Sequence, residues 1–195
     1  MPFDGISRNF NGGMALVSRN IGYNGNVISQ SYFIDLEGNE LWKWNSNLSW
    51  FNEDLIIVTV SYDREFKREK YSFLDRKSNR VTEKSFDYLS GFYEDLSFAR
   101  VENKVGFIDK TGNFVIESNF KWAKSFSEGL AGAEGESGGY GFIDKSGNWV
   151  IEPQFAWVDY FQEGFALVAA NDNRDSREKT GYIDRNGTYI WKPTK

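Results

Sequence analysis

Tyr140-Gly141-Phe142-Ile143-Asp144-Lys145-Ser146-Gly147-Asn148-Trp149-Val150-Ile151-Glu152-Pro153 decides how this chain is built, because the same signature returns along the 195 residues. It recurs at Phe33 to Asn39, Phe107 to Asn113 and Tyr182 to Gly187, with a worn copy at Phe73 to Asn79. The aspartates at 35, 75, 109, 144 and 184 step by 40, 34, 35 and 40 residues. A second landmark steps with them: Phe10, Phe51, Phe92, Phe126 and Phe161 open equivalent segments such as Phe126-Ser127-Glu128-Gly129-Leu130-Ala131. A period of this length is the mark of a repeat architecture. The division it gives is a single domain, 1–195, of five repeats at about 3–44, 45–85, 86–119, 120–154 and 155–195.

Within a repeat, aromatic and β-branched residues lie between turn residues, the pattern of short strands. In the fourth repeat, Gly129 marks a turn into a first strand and Tyr140 to Asp144 reads as a second. Lys145 to Asn148 is a tight turn, and Trp149 to Glu152 is a third strand closed by Pro153. Phe155 to Phe161 reads as an extended or single-turn connector, and no segment has a capped helical period. The fold class is therefore all-β, five tandem meanders. The chain spans whole periods, Pro2-Phe3 matching Pro153-Phe155 and Trp191-Lys192-Pro193 matching Ile151-Glu152-Pro153. Whole-number phase favours a propeller-like ring. The alternative is an open, curved β-array, since three strands per repeat are few for a blade.

Composition narrows the function. The 17 Phe, 10 Tyr and 7 Trp argue for a packed core, and a net charge of −5 gives no electrostatic footprint for nucleic acid. No apolar run approaches a membrane span, and the N-terminus lacks signal-peptide character, so cytoplasm is the expected compartment. With no Cys and no His, disulfides, thiolate nucleophiles and Ser-His-Asp chemistry are excluded. A carboxylate glycosidase needs two facing acids. Glu94, Glu128 and Glu163 recur with the repeat, which points to a turn role. The reading is therefore not an enzyme and no cofactor.

The pattern [Tyr/Trp]-Gly-[Phe/Tyr]-Ile-Asp-Lys-[Thr/Ser]-Gly, then Val-Ile-Glu-Pro-Gln-Phe, with Phe-x-Glu-Gly-Leu-Ala, resembles the bacterial WG-repeat family. It stands here as Tyr140 to Gly147, Val150 to Phe155 and Phe126 to Ala131. The first two repeats depart from it, with Tyr32 and Ser72 in place of the glycine; the naming Trp is Val105, Tyr140 and Thr180 in the last three. The resemblance implies β-rich repeats used in binding, with no catalytic residues, and suggests a role in bacterial conflict systems.

Three features compete as sites. The repeated aspartates suit metal ligation in principle, but Asp followed by Gly builds a tight turn and is read so. Asn171 to Asp175 resembles a calcium loop but has Ser176 and Tyr182 where Gly and Glu are required, so no metal is assigned. Tyr88, Trp122 and Trp157 occupy one equivalent position. They are either inter-repeat core or an exposed stacking strip for carbohydrate. Trp42 and Trp191, equivalent to Ile116 and Ile151, are expected in the core. The connection between first and second strands is long in repeats one, two and five: Arg19 to Ser31, Tyr62 to Lys70, Asn171 to Thr180. Such loops share a face in a repeat array, so Arg64, Lys67, Arg68, Lys70, Arg174 and Arg177 are the candidate contacts for a protein partner.

Overall fold

The computed structural model describes residues 4–11, 13–23, 26–44, 48–51, 55–63, 68–75, 77, 79–136, 138–170 and 180–192. The chain divides into two compact units, Met1–Ser85 and Phe86–Lys195. The first unit holds a sheet of β1 (Gly5–Asn11), β2 (Met14–Tyr23), β3 (Asn26–Ile34) and β4 (Glu40–Trp44) in that order. A second sheet holds β5 (Leu48–Phe51), β6 (Leu55–Asp63) and β7 (Arg68–Asp75). Met14, Leu16 and Phe33 from one sheet pack with Ile56, Val58 and Leu74 from the other. Ala15, Val17 and Ile34 bury the opposite face, as period-two alternation requires of strands covered on both sides.

The second unit has a sheet of β8 (Tyr88–Leu89), β9 (Ser97–Val101), β10 (Lys104–Ile108) and β11 (Phe114–Phe120). A six-stranded sheet follows in chain order: β12 (Ala131–Glu134), β13 (Tyr140–Ile143), β14 (Trp149–Gln162), β15 (Phe165–Ala170), β16 (Thr180–Asp184) and β17 (Tyr189–Trp191). All pairings are antiparallel. Among the described residues no helix is long and apolar enough to cross a membrane.

The propeller-like ring is not formed. Among the described residues every sheet runs in linear order from one edge strand to another and none closes. The reason lies in β14. A propeller keeps each blade a separate sheet, whereas β14 is a single 14-residue strand that pairs with β13 at its start and β15 at its end, merging two repeats into one open sheet. Pro153 does not close the third strand, and Phe155 to Phe161 is strand rather than connector. Proline is tolerated because it sits in a bulge, where the ladder asks for no N–H. Between the pairs Phe142↔Ile151 and Tyr140↔Phe155, two steps on β13 match four on β14.

That bulge explains the motif glycine. A Cβ on Gly141 would lie 2.3 Å from the Ile151 carbonyl oxygen, and one on Gly106 2.5 Å from that of Ile116. The same two-against-four mismatch separates Phe107↔Ile116 from Val105↔Phe120. In the first repeat Tyr32 replaces the glycine, and there Ser31↔Trp44, Tyr32↔Lys43 and Phe33↔Trp42 run in unbroken register. In the second, buried Ser72 donates its hydroxyl to the Lys84 carbonyl at 3.0 Å. Glycine is thus present where the third strand bulges inward onto the second.

The two long connections of the first unit are not loops. Their backbone pairs as hairpin arms, from Arg19↔Gln30 to Tyr23↔Asn26 and from Ser61↔Lys70 to Asp63↔Arg68. The first arm surrounds Asn24-Gly25, a strong hairpin signal.

Replacing Gly141 by Ala is expected to cost ~2–3 kcal/mol, since backbone rather than a flexible side chain must move. Val150→Ala, at an exposed position on the same strand pair, is expected to cost under ~1 kcal/mol. Urea midpoints compare the two; equal losses would contradict the close-approach explanation.

Candidate functional site: an aromatic cluster around Lys124

Two kinds of turn fix the second unit. The aspartate turns behave as the motif suggests. Asp144 Oδ1 accepts the N–H groups of Ser146 and Asn148 at 2.8 and 2.9 Å, while Gly147 N–H donates to the Asp144 carbonyl at 3.0 Å with φ +84°. Asp35, Asp75, Asp109 and Asp184 each accept the same two N–H groups, at i+2 and i+4. Asp35 is held below the ordinary carboxylate range, first by the Asn39 side chain. These carboxylates are committed to their turns, and among the described residues no group of three His, Cys, Asp or Glu could hold a metal.

The second kind is a two-residue turn with both central residues left-handed: Glu94-Asp95 (φ 50° and 71°), Glu128-Gly129 (52° and 79°) and Glu163-Gly164 (53° and 81°). This is the primed geometry that matches strand twist in tight hairpins. The first two of these turns are stitched to the next repeat. Glu94 accepts the Gly129 N–H at 3.0 Å and Glu128 accepts the Gly164 N–H at 2.9 Å. Lys145 Nζ lies 3.1 Å from Glu94 Oε2, and Arg185 Nη2 donates to the Glu128 carbonyl at 2.6 Å. Below these links, Phe107 meets Phe126 and Phe142 meets Phe161 at centroid distances of 4.8 and 4.7 Å.

This stacking sets the equivalent aromatics side by side on the surface. Tyr88 is exposed on β8; Trp122, beyond β11, and Trp157, on β14, are half-buried. Tyr88 stacks on Phe98 at 5.4 Å, with the Arg100 guanidinium 5.5 Å from its ring. Trp122 sets its edge against Tyr140 at 5.3 Å. The Lys124 ammonium lies 6.0 Å from the Trp122 ring, 4.8 Å from Trp157 and 4.5 Å from Tyr160, and pairs with Asp159 at 2.6 Å. Tyr93 and Tyr160 are also exposed. Burial first, then Tyr93, Asp159 and Tyr88, push the Tyr160 hydroxyl above its ordinary range, so it stays a protonated donor at neutral pH. Burial opposes ionisation of Asp159, but the Lys124 hydrogen bond, the Tyr160 backbone N–H and the Lys124 charge outweigh it and hold the carboxyl below its usual range.

Lys124, Asp159, Tyr93 and Tyr160 were not among the sequence candidates. The available signal was that Ser90, Lys124 and Asp159 stand two places after the repeated aromatic, so opposite charges occupy successive equivalent positions. Arg64, Lys67, Arg174 and Arg177 lie outside the described residues, as does the Asn171 to Asp175 segment. Arg68 begins β7, and Lys70 is half-buried on the same strand. The Trp42 side chain is also outside the described set. Trp191 is not core: it is 52% exposed, where Ile116 and Ile151 are buried.

Asp159→Asn is expected to cost about 1 kcal/mol at pH 7 and low salt, the carboxylate being partly exposed and screened. The folded-state value is depressed, so this contribution is present above the unfolded value near ~3.9 and is lost as pH falls through the folded one. Urea unfolding should therefore separate wild type and variant at pH 7 and converge once pH has fallen through the depressed folded-state value; a gap that persists in acid beyond that point would contradict the ion pair's role.

Comparison with known proteins fits this construction. The WG containing repeat family matches residues 106–134 and 140–173. No curated protein matches the chain. Among solved structures, a protein of unknown function from Bacteroides caccae is similar over 97% of this chain and 80% of its own, at 12% identity and a TM-score of 0.38, too distant to carry an argument. The glycine bulges, the aspartate turns and the family match coincide in one stretch, and residues 106–134 and 140–173 are similar to WG repeats.

Proposed function

We propose that this repeat module binds another protein, and that the aromatic cluster of Tyr88, Tyr93, Trp122, Trp157 and Tyr160 is the contact surface. One observation carries the reading: Trp122, Trp157 and Tyr160 are gathered around a single Lys124–Asp159 pair, and the exposed tyrosines of the preceding repeat are Tyr88 and Tyr93. Tyrosine and tryptophan supply large contact area with few rotatable bonds and dominate protein interfaces. The basic residues Arg64, Lys67, Arg68, Lys70, Arg174 and Arg177 are proposed as additional steering contacts. The concrete form is a cytoplasmic immunity or inhibitor protein that binds a toxin, which rests on the family resemblance alone. The five repeats are proposed to act as one domain.

Carbohydrate binding through Tyr88, Trp122 and Trp157 is the second reading, supported by the exposure of Tyr88. Sugar stacking needs a free ring face. The Lys124 ammonium stands over Trp157, and Phe98 stacks on Tyr88, which favours a protein partner.

The test is affinity capture from the source cell's lysate with mass spectrometry, followed by calorimetry with the purified partner. A stoichiometric protein whose Kd rises ~30-fold or more with Trp157→Ala or Tyr160→Ala is expected. A partner indifferent to both variants would overturn the aromatic site. Glycan-array binding with tryptophan quenching would favour the second reading instead.

A further inference from the structure

The last repeat exposes what the two before it bury. Leu96, Leu130 and Phe165 are equivalent; so are Phe107, Phe142 and Tyr182, and so are Ile116, Ile151 and Trp191. In repeats three and four these positions are at most 7% exposed, whereas Phe165, Tyr182 and Trp191 are 46%, 48% and 52% exposed. The contrast is confined to this face. At the neighbouring outward position Val115, Val150 and Ile190 are exposed alike, at 51%, 47% and 55%. The exposed residues line a groove of about 480 Å³, together with Glu163 and Leu167.

The interior repeats show what fills such a groove. A glycine of the following aspartate turn sits over the isoleucine: a Cβ on Gly147 would lie 2.9 Å from Ile116 Cγ2, and one on Gly187 3.1 Å from Ile151 Cγ2. A phenylalanine ring covers Phe107 and another covers Phe142. A turn N–H and a Lys or Arg then reach the left-handed glutamate, as Gly129 and Lys145 reach Glu94. Glu163 has the same backbone, with φ 53°, and among the described residues no such amide or cation meets it.

We infer that the face formed by Glu163, Phe165, Tyr182 and Trp191 is a docking surface for one further β-repeat of this kind. The occupant brings a hairpin-turn N–H and a Lys or Arg to Glu163, a glycine over Trp191 and an aromatic ring over Tyr182. Charge complementarity selects against a second copy docking head to tail. The first repeat reads Asp35-Leu36-Glu37-Gly38, so a leucine and an acid, not a cation, would arrive at Glu163. This surface meets the aromatic cluster only at Tyr160 and Asp159, and its test does not depend on that cluster being a contact site.

The chain has no cysteine, so single-cysteine labelling reads the face directly. The probe is the full chain with a copy of residues 120–154 fused after Thr194, which reproduces the spacing from Ile151 to Phe155. Tyr182→Cys should react with a maleimide at least ~10-fold more slowly in the extended chain than in the parent, and Val115→Cys, exposed and outside the groove, at the same rate in both. Adding Glu163→Lys should restore fast labelling at position 182. Unchanged labelling of Tyr182→Cys on extension would overturn the inference. So would self-association of the parent chain in sedimentation velocity that Trp191→Glu abolishes, since the occupant would then be a second copy.

Discussion

A carboxylate reaching from one repeat to a backbone amide of the next is the constraint on which the second unit depends. Glu94 and Glu128 sit in left-handed backbone, a conformation that costs a non-glycine residue ~1–2 kcal/mol. The cost is offset only if the side chain so placed makes bonds it could not make otherwise. It does: each carboxylate holds the turn N–H of the following repeat and is flanked by that repeat's Lys145 or Arg185. Charge-assisted bonds of this type are among the stronger ones available at a protein surface. With the turns held, phenylalanine meets phenylalanine beneath them, and Ser127 Oγ donates to the Phe161 carbonyl at 2.7 Å.

From that link follows the aromatic surface proposed as the contact site. Stacking at a 34- or 35-residue offset brings equivalent positions together, so a single aromatic per repeat becomes a cluster, and Lys124 finds Asp159 at the same place in the next repeat. The bulge over Gly141 lets β14 run on into the next repeat's pairing. The protein therefore grows by sheet continuity through β14 as well as by side-chain packing.

Much of this was legible in the residues. Asp-x-x-Gly specifies its turn by local hydrogen bonds, and Glu-Gly sites announce positive φ, so both turn families could be read without tertiary knowledge. Strand continuity could not. Pro153 looks like a stop, and it takes the paired register of β13 and β14 to reveal a bulge that tolerates it. Ring closure was not legible either, because whole-number phase says nothing of how one sheet hands over to the next. Trp191 reads as core by equivalence with Ile116 and Ile151, but equivalence fixes the face of the strand and not what packs on it. The hairpin arms carried a readable signal, Asn24-Gly25 between β-forming residues, which reading them as loops passed over.

Amide hydrogen exchange at Gly129 and Gly164 tests the inter-repeat link most directly. Both amides lie in surface turns, where exchange is ordinarily fast, and both donate to a glutamate of the preceding repeat. Slow exchange is expected at both, with Gly129 alone accelerated by Glu94→Ala and Gly164 alone by Glu128→Ala. Exchange at free-loop rates in the unaltered protein, or protection that survives loss of the matching glutamate, would contradict the central role given to these carboxylates.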